Sequence, residues 1–198
     1  AAQLPHGALR AYVMGERGAD HTAVPSDDEI ARMRELAREA IEAGAVGFTT
    51  SRTRNHKTAD GAPTPSLTAT AEELWGIAAG LGEANLGVVE IVCDFVDLET
   101  EFALIREMAV RSGRPVSLSL AQVNNKPDEW KRILELIDEA NAAGARMFAQ
   151  VAPRPIGVVS NLDSSLHPFL LNKAYQTVAH LPLAERVVAL RDPELRQQ

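Results

Sequence analysis

Four times along this chain a helical stretch stops at a glycine and an apolar run of strand length follows at once. Gly44 precedes Ala45–Thr50, Gly87 precedes Val88–Val92, and Gly144 precedes the run 145–151. Gly113, with Arg114 and Pro115 between, precedes Val116–Leu120. Parallel strands cannot be joined by a tight turn; they need a long crossover, usually a helix. The four runs are mostly apolar on both faces, as strands covered on both sides are. The pattern therefore predicts an α/β fold. Parallel strands near 45–50, 88–92, 116–120 and 146–151 should lie adjacent in chain order, with helices covering the outside.

The intervening stretches carry helix signals. Ser26 and Glu29 form a capping box, and Ile30, Met33, Ala37, Ala40 and Ile41 then make an apolar stripe. Thr70 and Glu73 repeat the device before Leu74, Ile77, Ala78 and Leu81. Asp97 caps a third helix with Leu98, Phe102, Ile105 and Ala109 on its stripe. Pro127 opens a fourth that buries Trp130, Ile133, Leu134 and Ile137, and a last helix runs from about Pro182 to Leu190. GLGEAN (80–85) has the glycines of a dinucleotide fingerprint, but it ends a helix and precedes a strand, the reverse of the required order. Residues 1–24 show no periodic element. His6 reads as a loop histidine, or as the tip of a strand whose body lies upstream. No linker or low-complexity tract interrupts the chain, so 1–198 is expected to be a single domain.

Composition excludes several classes. A net charge of −7 with no basic stripe argues against nucleic acid. One cysteine, Cys93, excludes a disulfide framework and a CxxC metal knuckle. No stretch approaches the ~20 apolar residues of a membrane helix, and no signal peptide is evident. A cytoplasmic location is expected. The chain opens without Met on AAQLPHGALR and stops within LRDPELRQQ, where Asp192 and Pro193 look like the start of another helix. Both ends read as internal to a longer polypeptide.

Ligands of parallel α/β folds meet the loops after the C-terminal ends of strands. Those loops are 51–69, 93–96, 121–126 and 152–180; the first and last are long enough to mark function or partner contact. Their polar side chains are Arg52, Arg54, His56, Gln122, Asn124, Asn125, Arg154 and His167. Of these, Arg52, His56, Gln122 and Arg154 are the expected substrate-binding residues, the arginines because a guanidinium clamps a carboxylate bidentately. His167 reads as exposed or structural, and Cys93 as a buried small hydrophobe. Glu90 interrupts VVEIV inside a strand. It is either an inward-pointing acid near a barrel mouth or a carboxylate satisfied by Ser117, Ser119 or Arg146. No serine–histidine–aspartate order, phosphate loop or carboxylate pair can be assembled, so no catalytic residue is assigned.

HGALRAYVMG (6–15), GAVGFTTS (44–51) followed by TAEEL (70–74), and HLPLAERVVALRDPELR (180–196) resemble the D-aminoacylase-like amidohydrolases, also called the N-acyl-D-amino-acid deacylase group. The resemblance runs over nearly the whole chain. It implies a partial (β/α)8 TIM-type barrel, roughly strands 3 to 7, from a hydrolase acting on non-peptide C–N bonds such as N-acyl amides. The family's opening HxH motif would lie upstream and its catalytic aspartate downstream.

Three departures follow. Val92, in VVEIVCD (88–94), stands about where a family histidine ligand belongs. Gln122, in LAQVNNK (120–126), stands near a second, with Lys126 near the family's lysine. AQVAPRPIG (149–157) replaces a DxYPY-like turn. The resemblance thus implies no metal ligand or cofactor in this stretch, and a divalent metal, zinc, only in the longer parent. The expected partner is a small-molecule substrate, with the chain inactive alone. The alternative is a non-catalytic barrel relative that binds a metabolite or serves in assembly. Half a barrel leaves two strand edges and an apolar inner face uncovered, so homo-oligomerisation, association with the rest of the barrel, or cover by 152–180 is expected.

Overall fold

Each of the four punctuating glycines takes a positive φ, from 63° at Gly113 to 105° at Gly44. Only a residue without a Cβ adopts this region freely, and the chain there leaves its helix and turns into the next strand. In the computed structural model, which describes residues 1–155, 157 and 159–197, this yields five strands. They are β1 (Gln3–Pro5), β2 (Gly47–Arg52), β3 (Val88–Cys93), β4 (Val116–Ser119) and β5 (Met147–Gln150). All pair parallel in the order β1-β2-β3-β4-β5. Between them run α1 (His6–Met14), a 3-10 turn (Gly15–Ala19), α2 (Asp27–Glu42), α3 (Ala71–Ala84), α4 (Leu98–Ser112) and α5 (Glu129–Ala142).

By contacts the chain divides into two compact units. The first holds Ala1–His56 and Pro63–Arg154, and with them the whole sheet. The second holds Lys57–Ala62 and Pro155–Gln198, with short helices α6 (Lys173–Gln176), α7 (Leu183–Ala189) and α8 (Pro193–Arg196). There His167 is buried and meets Tyr175 edge-on at 4.8 Å between ring centroids, a structural role. Of the stretch 149–157, Ile156 lies outside the described residues, as does Val158 of the loop that follows.

In the first unit one sheet face is fully covered. Phe48, Val89, Ile91, Val116, Leu118 and Met147 are at most 1% exposed and pack against the helices. Each such side chain contributes roughly 1.5–3 kcal/mol by leaving water. The opposite face is not the apolar surface expected. Thr49, Glu90, Ser117 and Phe148 share one register row, Ser51 pairs with Val92 in the next, and Ser119 pairs with Gln150. Hydroxyls and a carboxylate alternate with the buried apolar residues because side chains along a strand point to opposite faces. The polar residues Thr49, Glu90, Ser117 and Ser119 within the runs all fall on this one face, and β2, which begins at Gly47, two residues later than expected, adds Ser51 to it. One free edge is also blunted. The Asn141 side chain donates to the Met147 carbonyl (3.0 Å) and accepts from its amide (2.8 Å), filling backbone groups that face away from β4.

The opening residues need correcting. They are not structureless, since they hold β1, α1 and the 3-10 turn. Helix α1 escaped a stripe search because half of its buried face is polar: His6 and Arg10 join Leu9 and Met14. In α5, Leu136 rather than Trp130 joins the buried stripe.

The closest helix contact is α2 against α3, where two glycines one turn apart remove the side chains that would separate the axes. A Cβ at Gly76 would lie 2.4 Å from Ile30 Cγ2, and one at Gly80 would lie 2.2 Å from the Arg34 carbonyl oxygen. In an open helix Gly→Ala gains about 0.5–1 kcal/mol. Here the backbone clash reverses the sign, and Gly80→Ala should lower stability by about 1–3 kcal/mol in urea unfolding. A raised midpoint would show that these helices are free to separate.

Candidate functional site

The C-terminal ends of β1 to β4 open onto a cleft of about 410 Å³. Its floor is the polar inner face, with Thr49, Ser51, Glu90 and Ser119; the loop after β2 walls one side with His56 and Ser66. Ser51 Oγ and His56 Nδ1 are hydrogen-bonded at 2.8 Å, and the Ser66 hydroxyl donates to the Ser51 carbonyl (2.9 Å). Glu90 is half-buried and accepts from Gln3 Nε2 through Oε2 at 2.8 Å. Gln3 thus plays the part expected of Ser117, Ser119 or Arg146, reaching Glu90 across β2, where its register partner Gly47 has no side chain. The Ser117 hydroxyl donates instead to Gln150 Oε1 at 3.2 Å. A second cleft, about 480 Å³, adjoins the first through Val92 and Ser119 and holds Lys126, whose ammonium donates to the Phe95 carbonyl (2.8 Å) and Glu129 (2.7 Å).

Behind the first cleft, under the helices, lies a buried polar chain. The Thr50 hydroxyl and His6 Nδ1 are 2.8 Å apart, and His6 Nε2 is 2.9 Å from Glu73 Oε1. Arg10 Nη1 donates to both Glu73 oxygens at 2.7 Å. Its remaining N–H groups reach the carbonyls of Gly18, Asp20 and Ala23, so every donor is used and the 15–23 turn is tied down. Arg10 and Glu73 side chains are fully buried. Glu73 is only half of the expected capping box. Its amide donates to the Thr70 hydroxyl (3.3 Å) while its carboxylate turns inward to His6 and Arg10. The i, i+4 spacing of His6 and Arg10 in HGALR was the available signal for this face.

Burial pushes His6 below its ordinary 6.5, against the hydrogen bond and charge of Glu73. It is therefore neutral, with Nε2–H donating to Glu73 and Nδ1 accepting from Thr50. Burial alone would raise Glu73, but the His6 hydrogen bond and the Arg10 guanidinium hold it below its ordinary 4.5.

The four expected substrate-binding residues are not brought together. His56 stands on the cleft. Arg52 ends β2 on the helix side, with Nη1 on the Ala69 carbonyl (2.8 Å) and Nη2 3.7 Å from Glu101 Oε1. Gln122 Nε2 donates to the Pro127 carbonyl at 3.0 Å, closing its own loop. Arg154 is exposed past β5. Two further residues carry no local sequence signal: Ser51, which reaches the cleft because β2 runs on to Arg52, and Gln3, which lies before any periodic pattern. Cys93 is inert, since burial pushes its thiol up to about 12.

Among the described residues no three His, Cys, Asp or Glu side chains converge as a metal site. The strand-end donors explain why. Val92 offers none, Ser51 and Ser119 are neutral hydroxyls, and both His6 nitrogens are committed. The residues present do not fit a metal centre of their own. Nor is any described helix long and apolar enough to cross a membrane.

Two outcomes test the buried chain. A histidine held neutral below 6.5 makes the unfolded chain bind more protons as pH drops. Stability should therefore be flat above about pH 6.5 and fall below it, with a second loss as Glu73 protonates below 4.5. Urea midpoints from pH 8 to 4 should show this, and His6→Gln should erase the first limb; a flat profile between pH 7 and 5 would refute it. Arg10→Ala, which strands a buried carboxylate, should cost about 3–5 kcal/mol.

The amidohydrolase family model matches residues 1–198. No curated protein matches by sequence. Three solved structures of D-aminoacylase are similar at 24% identity, each covering 75% of this chain. One, with TM-score 0.58, is a mutant in complex with copper chloride. Another, also 0.58, concerns the functional role of that enzyme's binuclear metal centre. The third, at 0.55, describes D-aminoacylase as defining a novel subset of amidohydrolases. The chain spans 29% of the length of these neighbours. With the parallel sheet and its flanking helices, the likeness identifies the fold as part of a (β/α)8 barrel.

Proposed function

Because the chain belongs to the amidohydrolase family, matched from end to end, we propose that it forms the central part of a hydrolase acting on a non-peptide C–N bond. The substrate class is an N-acyl amino acid or a related small amide. The observation that carries this reading is the polar cleft at the C-terminal strand ends, where such sheets bind ligands. A carbonyl oxygen can accept from the Ser51 hydroxyl, an amide N–H can donate to Glu90, and His56 is placed to exchange a proton with Ser51. Arg52, Gln122 and Arg154 bear on substrate only through the walls and neighbouring loops.

The chain alone is inactive on this reading. A divalent metal, zinc by analogy with the family, would draw its ligands from outside these residues. The open edges at β1 and β5 favour association with the rest of the barrel or with a second copy, in a cytoplasmic protein. The second reading is a non-catalytic relative that binds a metabolite in the same cleft, favoured by Val92 and Gln122 standing where the family carries histidines.

The test is an amidase assay on the 198-residue chain and on the polypeptide that carries it, with zinc and with a chelator. Neutral, anionic and cationic N-acetyl amines serve as substrates. Turnover is expected only from the longer polypeptide, and only with metal. Chelator-sensitive turnover by the 198 residues alone would show that their ligands have been misread; no turnover by either would favour the binding-only relative.

A further inference from the structure

The cleft carries one formal charge, and that charge is negative. Among its lining residues Glu90 is the one carboxylate, and none is a lysine or an arginine. Gln3 occupies one carboxylate oxygen, and Oε1 has no protein donor among the described residues. Three of the chain's cations are committed elsewhere. Arg52 points to the helix side, Lys126 is held by Phe95 and Glu129, and Arg114 binds the Gly87 carbonyl (3.3 Å) and Asn85 (2.8 Å). A carboxylate drawn partly out of water in the middle of a sheet face is unfavourable unless something pairs with it. Its row neighbours, Thr49 and Ser117, are hydroxyl-bearing, and Ser51 and Ser119 lie one row beyond. Hydroxyls can accept from an N–H but cannot supply positive charge.

We infer that Glu90 recognises a cationic nitrogen on the ligand, so that the cleft takes small amides bearing an ammonium or guanidinium group. The inference rests on the amide-hydrolase reading above and names the substrate class within it. An N-acyl amino acid would bring its carboxylate into a cleft with a fixed negative charge and no free guanidinium. A cationic amide instead completes the Glu90 pair, donates its remaining N–H groups to Ser51, Ser119 or Thr49, and gains in strength as the pair is shielded from water.

The test is calorimetric titration of the 198-residue chain with three matched probes: N-(4-aminobutyl)acetamide, neutral N-butylacetamide and 4-acetamidobutanoate. The cationic probe should bind at least about tenfold more tightly than either of the others, as hydrogen bonds to charged groups warrant. Glu90→Gln should abolish that preference, bringing the affinity for the cationic probe down to that of the neutral one. Since Glu90 sits within a strand, Ser119→Lys at an exposed position provides a second variant. Its ammonium should occupy the carboxylate and weaken the cationic probe by a similar factor.

Equal binding of the anionic probe, no binding of any probe at millimolar concentration, or a preference that survives both variants would overturn the inference. A Glu90-dependent preference without turnover in the longer polypeptide would defeat the hydrolase reading and leave this one standing. Turnover of anionic amides without the preference would do the reverse.

Discussion

A parallel neighbour can be reached only by a crossover, and in this chain every crossover within the sheet passes over the same side. That constraint orders the rest. It stacks α1 to α5 on one face, where alternate residues of each strand become fully buried, and leaves the other face to residues of opposite parity. Helix-to-helix distance then decides how tightly that layer closes. Gly76 and Gly80 let α2 and α3 touch backbone to side chain, while Trp75 bridges α3 to α4 by donating to the Leu104 carbonyl at 3.0 Å under the Arg111 guanidinium. The inner face instead carries hydroxyls and one half-buried carboxylate.

At the buried Arg10–Glu73 pair the helix layer departs from hydrocarbon. Two charges out of water are tolerable only with their remaining hydrogen bonds filled, and here they are: Arg10 uses every N–H, and Glu73 also accepts from His6. The pair ties the 15–23 turn, α1 and α3 into one unit, and through His6 and Thr50 it reaches the strand whose next residue, Ser51, lies on the cleft. A polar network that satisfies every member fixes geometry more narrowly than apolar packing does, because its bonds are directional.

The outline of this fold was legible because it is written in periodicity and glycine. Four of the five strands, their parallel order and the helices over 27–142 follow from residues that the eye can count. What stayed hidden depends on distance across the chain. Helix α1 buries histidine and arginine against a glutamate more than sixty positions away, so no local stripe marks it. The cap signal at Thr70 was real, yet the same glutamate had a stronger use elsewhere. At the site, His56 was readable as a loop residue, whereas the direction of Arg52 turned on a two-residue difference in where β2 begins. Because β2 runs on to Arg52, the alternation of side chains along it turns Arg52 to the helix side and Ser51 to the cleft.

The inner face also shows what kind of chemistry these residues can and cannot supply. Near its C-terminal end β3 carries Val92, with Ser51 as its register partner and Ser119 beside it on the cleft. Gln122, in the loop after β4, spends its amide on the Pro127 carbonyl. Neutral hydroxyls and a committed amide are weak donors toward a transition metal, which favours imidazole, thiolate or several carboxylates. They are good partners for N–H and C=O groups of a small polar ligand. Within these residues, then, the cleft offers such a ligand hydroxyls around one carboxylate.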